Sequence, residues 1–475
     1  MHRTAGVWGL TALVVGFAFL LIWFVGLALR ELGLSDGTAM GVMAFTGILV
    51  QPRYSITRPM IFGAMLLSAS IWLALRWWRL RDRSVLWFVP LVAVWLPIHP
   101  TASVGTFLVA GLVGAALISR APRRDVLHAG LALAGCVALF ALTPAGRGHI
   151  RTTLGVALGH APMALALTIE WQRTRLGDPK LWIPLGLLLA ALGSAAVERK
   201  GRLIPAGLAL LGALLASRYL RNLYEALLLC APLFGQLLQV TADYLRRKGF
   251  KLGASLLPVV LGLGLPGLYL RLVPAQAFNA AFGVGFDLGL FPQDTLATLE
   301  KLPAGRLIHD CTFGGYLIWK NIPVYCDGRT VALYDNRRVT ELWLPLYLGE
   351  RGLEVIGDRY DIRYGLARHD TDFERGMMKS TKWIPLHYDR STSLFVREKY
   401  AAGIPLLGDL RFVDDDAWMK RWYEPVLADP VRRAALKAAV LRSFQLTADS
   451  PTLLQIVTFL KERDPALAAE IRSAL

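Results

Sequence analysis

Long apolar stretches alternate with short basic loops from the N-terminus to about residue 272, and mixed polar and apolar sequence follows. A helix that crosses the hydrocarbon core of a bilayer needs roughly 20 apolar residues. We therefore predict a polytopic α-helical membrane bundle over residues 1–272. Its spans, about ten, are expected at 5–29, 37–50, 60–77, 85–98, 101–118, 126–142, 181–197, 203–217, 222–242 and 253–271. The second and fourth are short for a full crossing.

The remainder of the chain predicts a soluble α/β domain that ends in helices. Alternation of apolar and polar residues predicts short strands at 306–309, 324–326, 383–387 and 393–396. A short helix is expected at 313–320, and Asp429-Pro430 and Ser450-Pro451 are typical helix starts. We assign residues 273–405 to the α/β domain and 406–475 to a helical C-terminal segment.

The net charge of +17 raises the question of nucleic-acid binding. The basic residues cluster in the short loops between spans, where the insertion machinery and anionic lipid favour them, so we expect no nucleic-acid partner. Alternate loops hold 15 Lys and Arg on one side and 10 on the other. The richer side is expected to be cytoplasmic. For a bacterial chain this predicts an inner (plasma) membrane protein with both termini and the C-terminal domain in the periplasm.

Polar residues at the outer ends of the predicted spans form the candidate site, because ionisable groups at membrane depth are costly and often functional. Arginine there can hold a lipid phosphate through two parallel hydrogen bonds. Snorkelling and ordinary loop charge also explain each residue taken singly. The candidates are Arg58, His99, Glu170, Arg218, Arg221 and Glu225.

Cysteines and acidic pairs suggest further chemistry. Cys311 and Cys326 flank the predicted strand–helix–strand unit on the expected oxidising side, where a disulfide and two small buried thiols both fit. The pairs around Thr371 and Asp415 resemble metal-binding motifs, but such acids also cap helices, and no Cys/His cluster has zinc spacing. We predict no metal site and no cofactor, although a divalent metal is not excluded.

The glycines from Gly262 to Gly267 have the spacing of a dinucleotide-binding loop. They lie inside an apolar stretch and follow no strand, which that motif requires. The spacing therefore predicts a helix-packing or kink feature.

Two runs in the C-terminal half carry a family resemblance. Gly-Gly-Tyr-Leu-Ile-Trp at 314–319 and Val-Tyr-Cys-Asp-Gly-Arg at 324–329 resemble a signature of GT-C-like bacterial membrane glycosyltransferases, the superfamily of protein O-mannosyltransferases and aminoarabinose transferases. Between about residues 40 and 400, further pieces resemble this family in the same order: Arg58-Pro59, Trp95 to His99, Thr143 to Gly146, Glu170-Trp171, and Arg218 to Phe234.

The resemblance implies a polyprenyl-phosphate sugar donor, bound with membrane lipid at the outer face, and an unidentified acceptor. It assigns Arg58, Arg218 and Arg221 to the lipid phosphate and His99 and Glu170 to the pocket. Asp327 and Arg329 would shape the C-terminal domain against the membrane site.

The chain also departs from the family pattern. Pro97 stands where the family has Asn, and no acidic residue precedes Glu31, although the family keeps its catalytic acid in the first outer loop. The sequence is therefore expected to be shortened at its N-terminus, and no catalytic residue is assigned. The alternative is a non-catalytic membrane protein that binds lipid or anchors a periplasmic interaction domain.

Overall fold

The computed structural model describes residues 2–54, 60–99, 101–143, 146, 148–150, 186, 203–218, 222–272, 291–327, 350–447 and 450–474. The chain divides into two compact units, Met1–Val284 and Gly285–Leu475, called unit 1 and unit 2 below.

Unit 1 is helical throughout its described part. Each apolar stretch predicted there forms a helix, whereas the stretch predicted at 181–197 lies outside the described residues, Gly186 apart. The helices are α1 (His2–Glu31), α2 (Asp36–Tyr54), α3 (Met60–Leu80), α4 (Phe88–Trp95), α5 (Ala102–Ile118), α6 (Arg123–Leu142), α7 (Leu203–Arg218), α8 (Leu223–Arg247) and α9 (Lys251–Leu272).

The expected count of about ten membrane spans is not supported. Four helices in the described residues are long and apolar enough to cross a membrane: Trp8–Glu31, Met60–Leu80, Arg123–Leu142 and Leu223–Arg247. The helix α4 has 8 residues, which rise only about 12 Å. An apolar composition is also typical of a helix that is buried among other helices. In the most apolar 18-residue segment of each helix, 83% of the residues are buried in α3 and 22% in α1. Hydropathy alone therefore overcounted the spans.

Three helices of unit 1 run in the same direction. The rings of Phe17 on α1 and Phe62 on α3 lie 5.1 Å apart, and Glu31 at the end of α1 pairs with Arg79 near the end of α3 at 2.6 Å. The second half of α8 reaches the same end, where Gln239 Oε1 accepts from the Ser35 N–H at 3.1 Å. We call this the turn end of the bundle, because it holds the α1–α2 turn. The opposite end, where α3 and α8 begin, is the His99 end.

The helices α2 and α9 cross through two glycines. A Cβ added at Gly262 would lie 2.8 Å from the Cα of Gly41, and a Cβ at Gly41 would lie 2.8 Å from the carbonyl carbon of Pro258. Real Cβ atoms essentially never approach so closely, so both positions require glycine. The packing interpretation of the glycines from 262 onward is confirmed at Gly262, while Gly264 and Gly267 face open space.

Unit 2 is built around one four-stranded sheet with the order β1-β2-β4-β3. The strands β1 and β2 are parallel, and the two pairings of β4 are antiparallel. The elements are α10 (Gln293–Leu299), β1 (Arg306–His309), α11 (Gly314–Trp319), α12 (Glu350–Arg359), β2 (Ile362–Arg368), α13 (Asp372–Lys379), β3 (Trp383–Tyr388) and β4 (Thr392–Arg397). The predictions of β1, β3, β4 and α11 are confirmed within a residue.

Both faces of the sheet are buried. Leu394 and Val396 on β4 join Tyr364 of β2 in one core with Phe313 and Leu317, while Phe395 faces a second core. Because successive side chains of a strand point to opposite faces, a strand covered on both sides reads as a continuous apolar run. The sheet therefore lies between two helical layers.

The edge strand β3 is irregular. Its register against β4 shifts between Pro385 and His387, and Pro385 has no N–H to donate. The Pro385 carbonyl accepts instead from the Leu407 N–H at 2.8 Å, so a following loop occupies this edge.

The strand predicted at 324–326 is wrong. The Tyr325 N–H donates to His309 Nε2 at 3.0 Å rather than to a neighbouring strand. Cys326 is held by a disulfide to Cys311. Side-chain contacts therefore fix this segment in an irregular path that resembles a strand only in composition.

Four helices complete unit 2: α14 (Asp416–Ala428), α15 (Pro430–Leu446), α16 (Pro451–Arg463) and α17 (Pro465–Ala474). The predicted starts are confirmed, since Asp429 accepts from the Val431 N–H at 2.8 Å and Ser450 from the Leu453 N–H at 3.4 Å. Leu453 and Ile471 share a core with Phe395, so the residues from 406 onward cover the sheet.

Arg411 connects these helices to the sheet from inside the core, with 3% of its surface exposed. Its Nη1 donates to the carbonyls of Met378 at 2.8 Å and Ser380 at 2.6 Å, at the end of α13. Its Nη2 donates to the Trp383 carbonyl at 2.8 Å, at the start of β3. One guanidinium thus satisfies carbonyls that a helix end leaves without partners.

Replacing Gly262 with alanine is expected to lower the melting temperature of the full chain in detergent. The added Cβ has no room, and overpacking costs about 1–3 kcal/mol. Gly264→Ala is the matched control on the same helix: it enters open space and should gain up to about 1 kcal/mol from helix propensity. Equal melting temperatures for the two variants would contradict the α2–α9 crossing.

Arg411→Lys is expected to destabilise unit 2 by about 2–4 kcal/mol. Lysine keeps the charge but cannot reach all these carbonyls, and a buried partner left unsatisfied is costly. Hydrogen–deuterium exchange of peptides from α13 and β3 in the full chain measures the change. The exposed Arg421→Lys on α14 is the control and should change exchange little.

Candidate functional site

Four of the sequence-predicted site residues can be placed in the structure. His99 and Glu225 belong to unit 1, Asp327 belongs to unit 2, and the backbone of Arg218 ends α7. The candidates Arg58, Glu170, Arg221 and Arg329 lie outside the described residues.

His99 lies in the turn between α4 and α5 and is buried, with 7% exposed. Its Nδ1 lies 2.7 Å from Thr101 Oγ1 and accepts from the Thr101 N–H at 3.3 Å. A neutral ring with an accepting Nδ1 carries its proton on Nε2. A Cβ at Gly63 would lie 3.2 Å from Nδ1, so the ring packs against the first turn of α3.

Glu225 lies in the first turn of α8 and is 6% exposed. Within the part of the chain that the structure describes, its Oε2 has no hydrogen-bond partner. The neighbouring end of α7 is close, because Asn222 Nδ2 donates to the Leu215 carbonyl at 3.0 Å. Since His99 packs on the start of α3, and α3 and α8 run in the same direction, His99 and Glu225 belong to the same end of the bundle.

The first acid of the chain belongs to the opposite end. The Glu31 side chain is buried, lies 2.6 Å from Arg79, and accepts from Trp72 Nε1 at 3.3 Å. A carboxylate paired in this way stabilises the packing of α1 on α3. It does not serve the His99 end.

The motif that carries the family resemblance forms a compact structural element in unit 2. A Cβ at Gly314 would lie 2.6 Å from the Cα of Asp327, so the chain after the disulfide passes directly over the start of α11. The disulfide joins Cys311 to Cys326, and Asp327 is 2% exposed. The sequence left open a disulfide or two buried thiols at these cysteines, and the structure contains the disulfide.

His309 at the end of β1 fixes the same segment. Its Nε2 accepts from the Tyr325 N–H, so the proton of the neutral ring lies on Nδ1, which donates to the Asp310 carbonyl at 2.8 Å. Burial lowers the pKa of His309, although the contacts with Asp310 and the charge of Asp327 oppose it. The imidazole is therefore a neutral structural link.

A polar cluster around His369 was missed from the sequence. His369 Nδ1 lies 2.8 Å from Glu374 Oε1 and 2.9 Å from Thr452 Oγ1, and Ser393 Oγ donates to Glu374. Burial lowers the pKa of His369, but the hydrogen bond and charge of Glu374 outweigh it, and the net pKa is raised. Ser393 and Glu374 contact the same ring nitrogen, so the cluster lacks the relay geometry of a hydrolase triad. It ties β4 to α13 and α16.

The sequence predicts His387 only as part of the strand β3 and assigns its side chain no role. His387 is 2% exposed, and neither ring nitrogen has a hydrogen-bond partner in the described ranges of unit 2. Burial lowers its pKa, while Asp389 and Asp294 oppose the shift. Asp389 itself is engaged, since one carboxylate oxygen accepts from Thr295 Oγ1 at 2.6 Å and the other from the Thr392 N–H at 2.6 Å. An alternating apolar strand pattern gives no signal for such a histidine.

The acidic pairs act as helix caps where they are described. Asp415 accepts from the Trp418 N–H at 3.0 Å at the start of α14, and Thr371 accepts from the Glu374 N–H at 3.2 Å at the start of α13. Across the described ranges, no group of three His, Cys, Asp or Glu side chains is placed to hold a metal ion.

Taken together, the His99 end offers an imidazole in contact with Thr101 and the Oε2 of Glu225, which has no hydrogen-bond partner among the described residues, at the edge of an apolar bundle. Such groups can accept a proton and bind a hydroxyl. No protein-family model matches this chain, and no curated protein matches it.

Two buried histidines should give opposite pH dependences. The lowered pKa of His387 means that the folded state binds protons less readily than the unfolded state, so stability falls as pH drops below about 6.5. His387→Phe should weaken that loss. The raised pKa of His369 contributes stability below about 6.5 that is lost as pH rises through the folded pKa, so His369→Gln should selectively remove stability at low pH.

Thermal unfolding of the full chain at pH 5.5 and 7.5 compares the two variants with the wild type. Each change should amount to a few degrees. The measured quantity is the difference in melting temperature between pH 7.5 and pH 5.5. If both variants change this difference in the same direction, the assignment of opposite signs is wrong.

Proposed function

We propose that this chain is a membrane protein that binds a polyprenyl-phosphate-linked sugar at the His99 end and transfers the sugar to an acceptor hydroxyl. The single observation that carries the proposal is Glu225, which is buried in the first turn of α8 and whose Oε2 has no hydrogen-bond partner among the described residues. A buried polar atom without a partner costs about 1–3 kcal/mol and calls for an explanation, which a bound substrate supplies.

Charge and helix direction support an anionic substrate at this end. The α8 N-terminus carries the positive end of its helix dipole, and Arg218 ends the adjacent α7. In the proposal Arg218, Arg221 and Arg58 bind the phosphate, and His99 and Glu170 line the pocket. Among the described residues, four helices are long and apolar enough to cross a membrane, which supports a membrane protein. The proposed location is the inner membrane, and unit 2 is proposed to be a periplasmic domain.

In the proposed reaction Glu225 accepts the proton of the acceptor hydroxyl. The hydroxyl oxygen then attacks the anomeric carbon, and the bond between that carbon and the phosphate oxygen breaks. The electron pair leaves with the polyprenyl phosphate, whose charge the arginines stabilise. The segment formed by α11, the disulfide and Asp327 carries the resemblance to GT-C-like enzymes, and its proposed role lies within unit 2.

Glu225→Gln tests the role of the carboxylate, because glutamine keeps the shape but cannot accept the proton. Sugar transfer from a polyprenyl-phosphate sugar by the purified full chain should fall roughly 10²- to 10⁴-fold, while donor binding changes little. Asp243→Asn, a carboxylate on the same helix but at the turn end, is the matched control and should keep full activity.

Donor binding is measured separately, with the wild type and Arg58→Ala. A chain that does not bind the donor, or binds it equally well after Arg58→Ala, contradicts the proposal. Binding without transfer instead supports a non-catalytic lipid-binding protein. The pairing of Glu31 with Arg79 favours this second candidate, because it leaves the first acid of the chain engaged in packing.

A further inference from the structure

The α5–α6 turn, at the turn end of the bundle, borders an open groove of about 250 Å³. Two cationic side chains and four apolar ones line it: Ala116, Leu117, Arg120, Ala121, Arg123 and Val126. Both arginines are exposed. Within the described residues, neither has a side-chain ion pair or hydrogen bond, whereas the adjacent Arg124 lies 3.8 Å from Asp125.

The backbone at Arg120 is unusual for arginine. The Ala121 N–H donates to the Ala116 carbonyl at 2.9 Å and the Arg120 N–H to the Leu117 carbonyl at 3.1 Å, which is the Schellman end of a helix. In that motif the residue that follows the helix end adopts the left-handed region, where glycine is preferred. Arg120 occupies this position, with φ of 54°. A non-glycine residue there is strained, and such strain is concentrated at functional positions.

A second arginine with positive φ provides a comparison. Arg81, after α3, has φ of 52°. Its side chain is accounted for, because the guanidinium lies 3.7 Å from the ring centre of Trp78 and its Nε donates to the Trp78 carbonyl at 3.1 Å. The described structure offers Arg120 no such packing role, and its exposed side chain lines the groove.

Apolar surface continues from the groove along α5. Leu117 and Ile118 are 58% and 76% exposed, and Phe107, three turns earlier, is 52% exposed. Ile118 lies on the same face of α5 as Phe107, because eleven residues make about three helical turns. Leu127 continues the apolar surface on α6, at 59% exposed. Cationic groups at the end of an apolar stripe match a phosphate head group joined to acyl chains.

We propose that this groove binds an anionic glycerophospholipid, with its phosphate between Arg120 and Arg123 and an acyl chain along the exposed face of α5. Arginine holds phosphate through paired N–H groups, and α6 begins at Arg123 with the positive end of its dipole. The site is at the opposite end of the bundle from His99 and does not depend on the proposed transfer reaction.

The test titrates the purified full chain in neutral detergent with short-chain phosphatidylglycerol, phosphatidylcholine or inorganic phosphate. Phosphatidylglycerol should bind at least tenfold more tightly than phosphatidylcholine. Inorganic phosphate at the same concentration should not displace it, since it lacks the acyl chains. Equal affinity for the two lipids, or displacement by phosphate alone, overturns the proposal.

Arg120→Gly distinguishes a lipid-binding arginine from one that only stabilises the turn. Glycine relieves the left-handed backbone, so the lipid-free melting temperature should hold or rise. Affinity for phosphatidylglycerol should fall roughly fivefold, which matches the loss of one basic residue near a phosphate. Unchanged affinity contradicts the proposal.

Arg123→Gln should likewise weaken binding about fivefold. Arg124→Gln is the matched control on the same turn, paired with Asp125 and absent from the groove lining. It should leave affinity within about twofold. The same loss with Arg124→Gln shows attraction by general charge and rejects the site.

Discussion

A buried polar group needs partners, and Arg411 shows how unit 2 meets this constraint. Its guanidinium lies in the core, where an unpaired charge would be prohibitive. Carbonyls at the end of α13 and the start of β3 make the charge tolerable. The guanidinium thereby joins the end of α13 and the start of β3 to the chain that leads into α14.

Glu225 and His387 are the contrasting cases. Each is buried, and each has at least one side-chain atom without a hydrogen-bond partner among the residues that the structure describes. Burial lowers the pKa of His387, so the imidazole is neutral. A neutral ring without hydrogen bonds costs less to bury than a charged group. Nothing in the described residues accounts for Glu225 in a comparable way. The same constraint that explains the fold of unit 2 therefore makes Glu225 the more informative residue of unit 1.

Local signals in the sequence predicted much of the fold. The strand 306–309, the glycine start of α11, and the caps at Asp429 and Ser450 depend on residues close in sequence, and these predictions hold. The segment 324–326 failed because a side chain 16 residues away, His309, takes its N–H.

The count of spans failed because several apolar stretches form helices of 10–17 residues, shorter than a bilayer crossing requires, and hydropathy does not show where a helix ends. For the candidate site, the sequence predicted His99 and Glu225 as polar groups at the ends of spans, and the structure buries both side chains. Nothing in the sequence indicated that Glu31 is paired, because that contact joins helices far apart in the chain.

The edge of the sheet has a consequence for how unit 2 behaves at high local density. A free strand edge is a template on which another copy can add a strand. Pro385 offers no N–H, its carbonyl is taken by Leu407, and the register breaks before His387. The other edge, β1, has only four residues. Many copies can therefore crowd together without joining sheet to sheet into an aggregate.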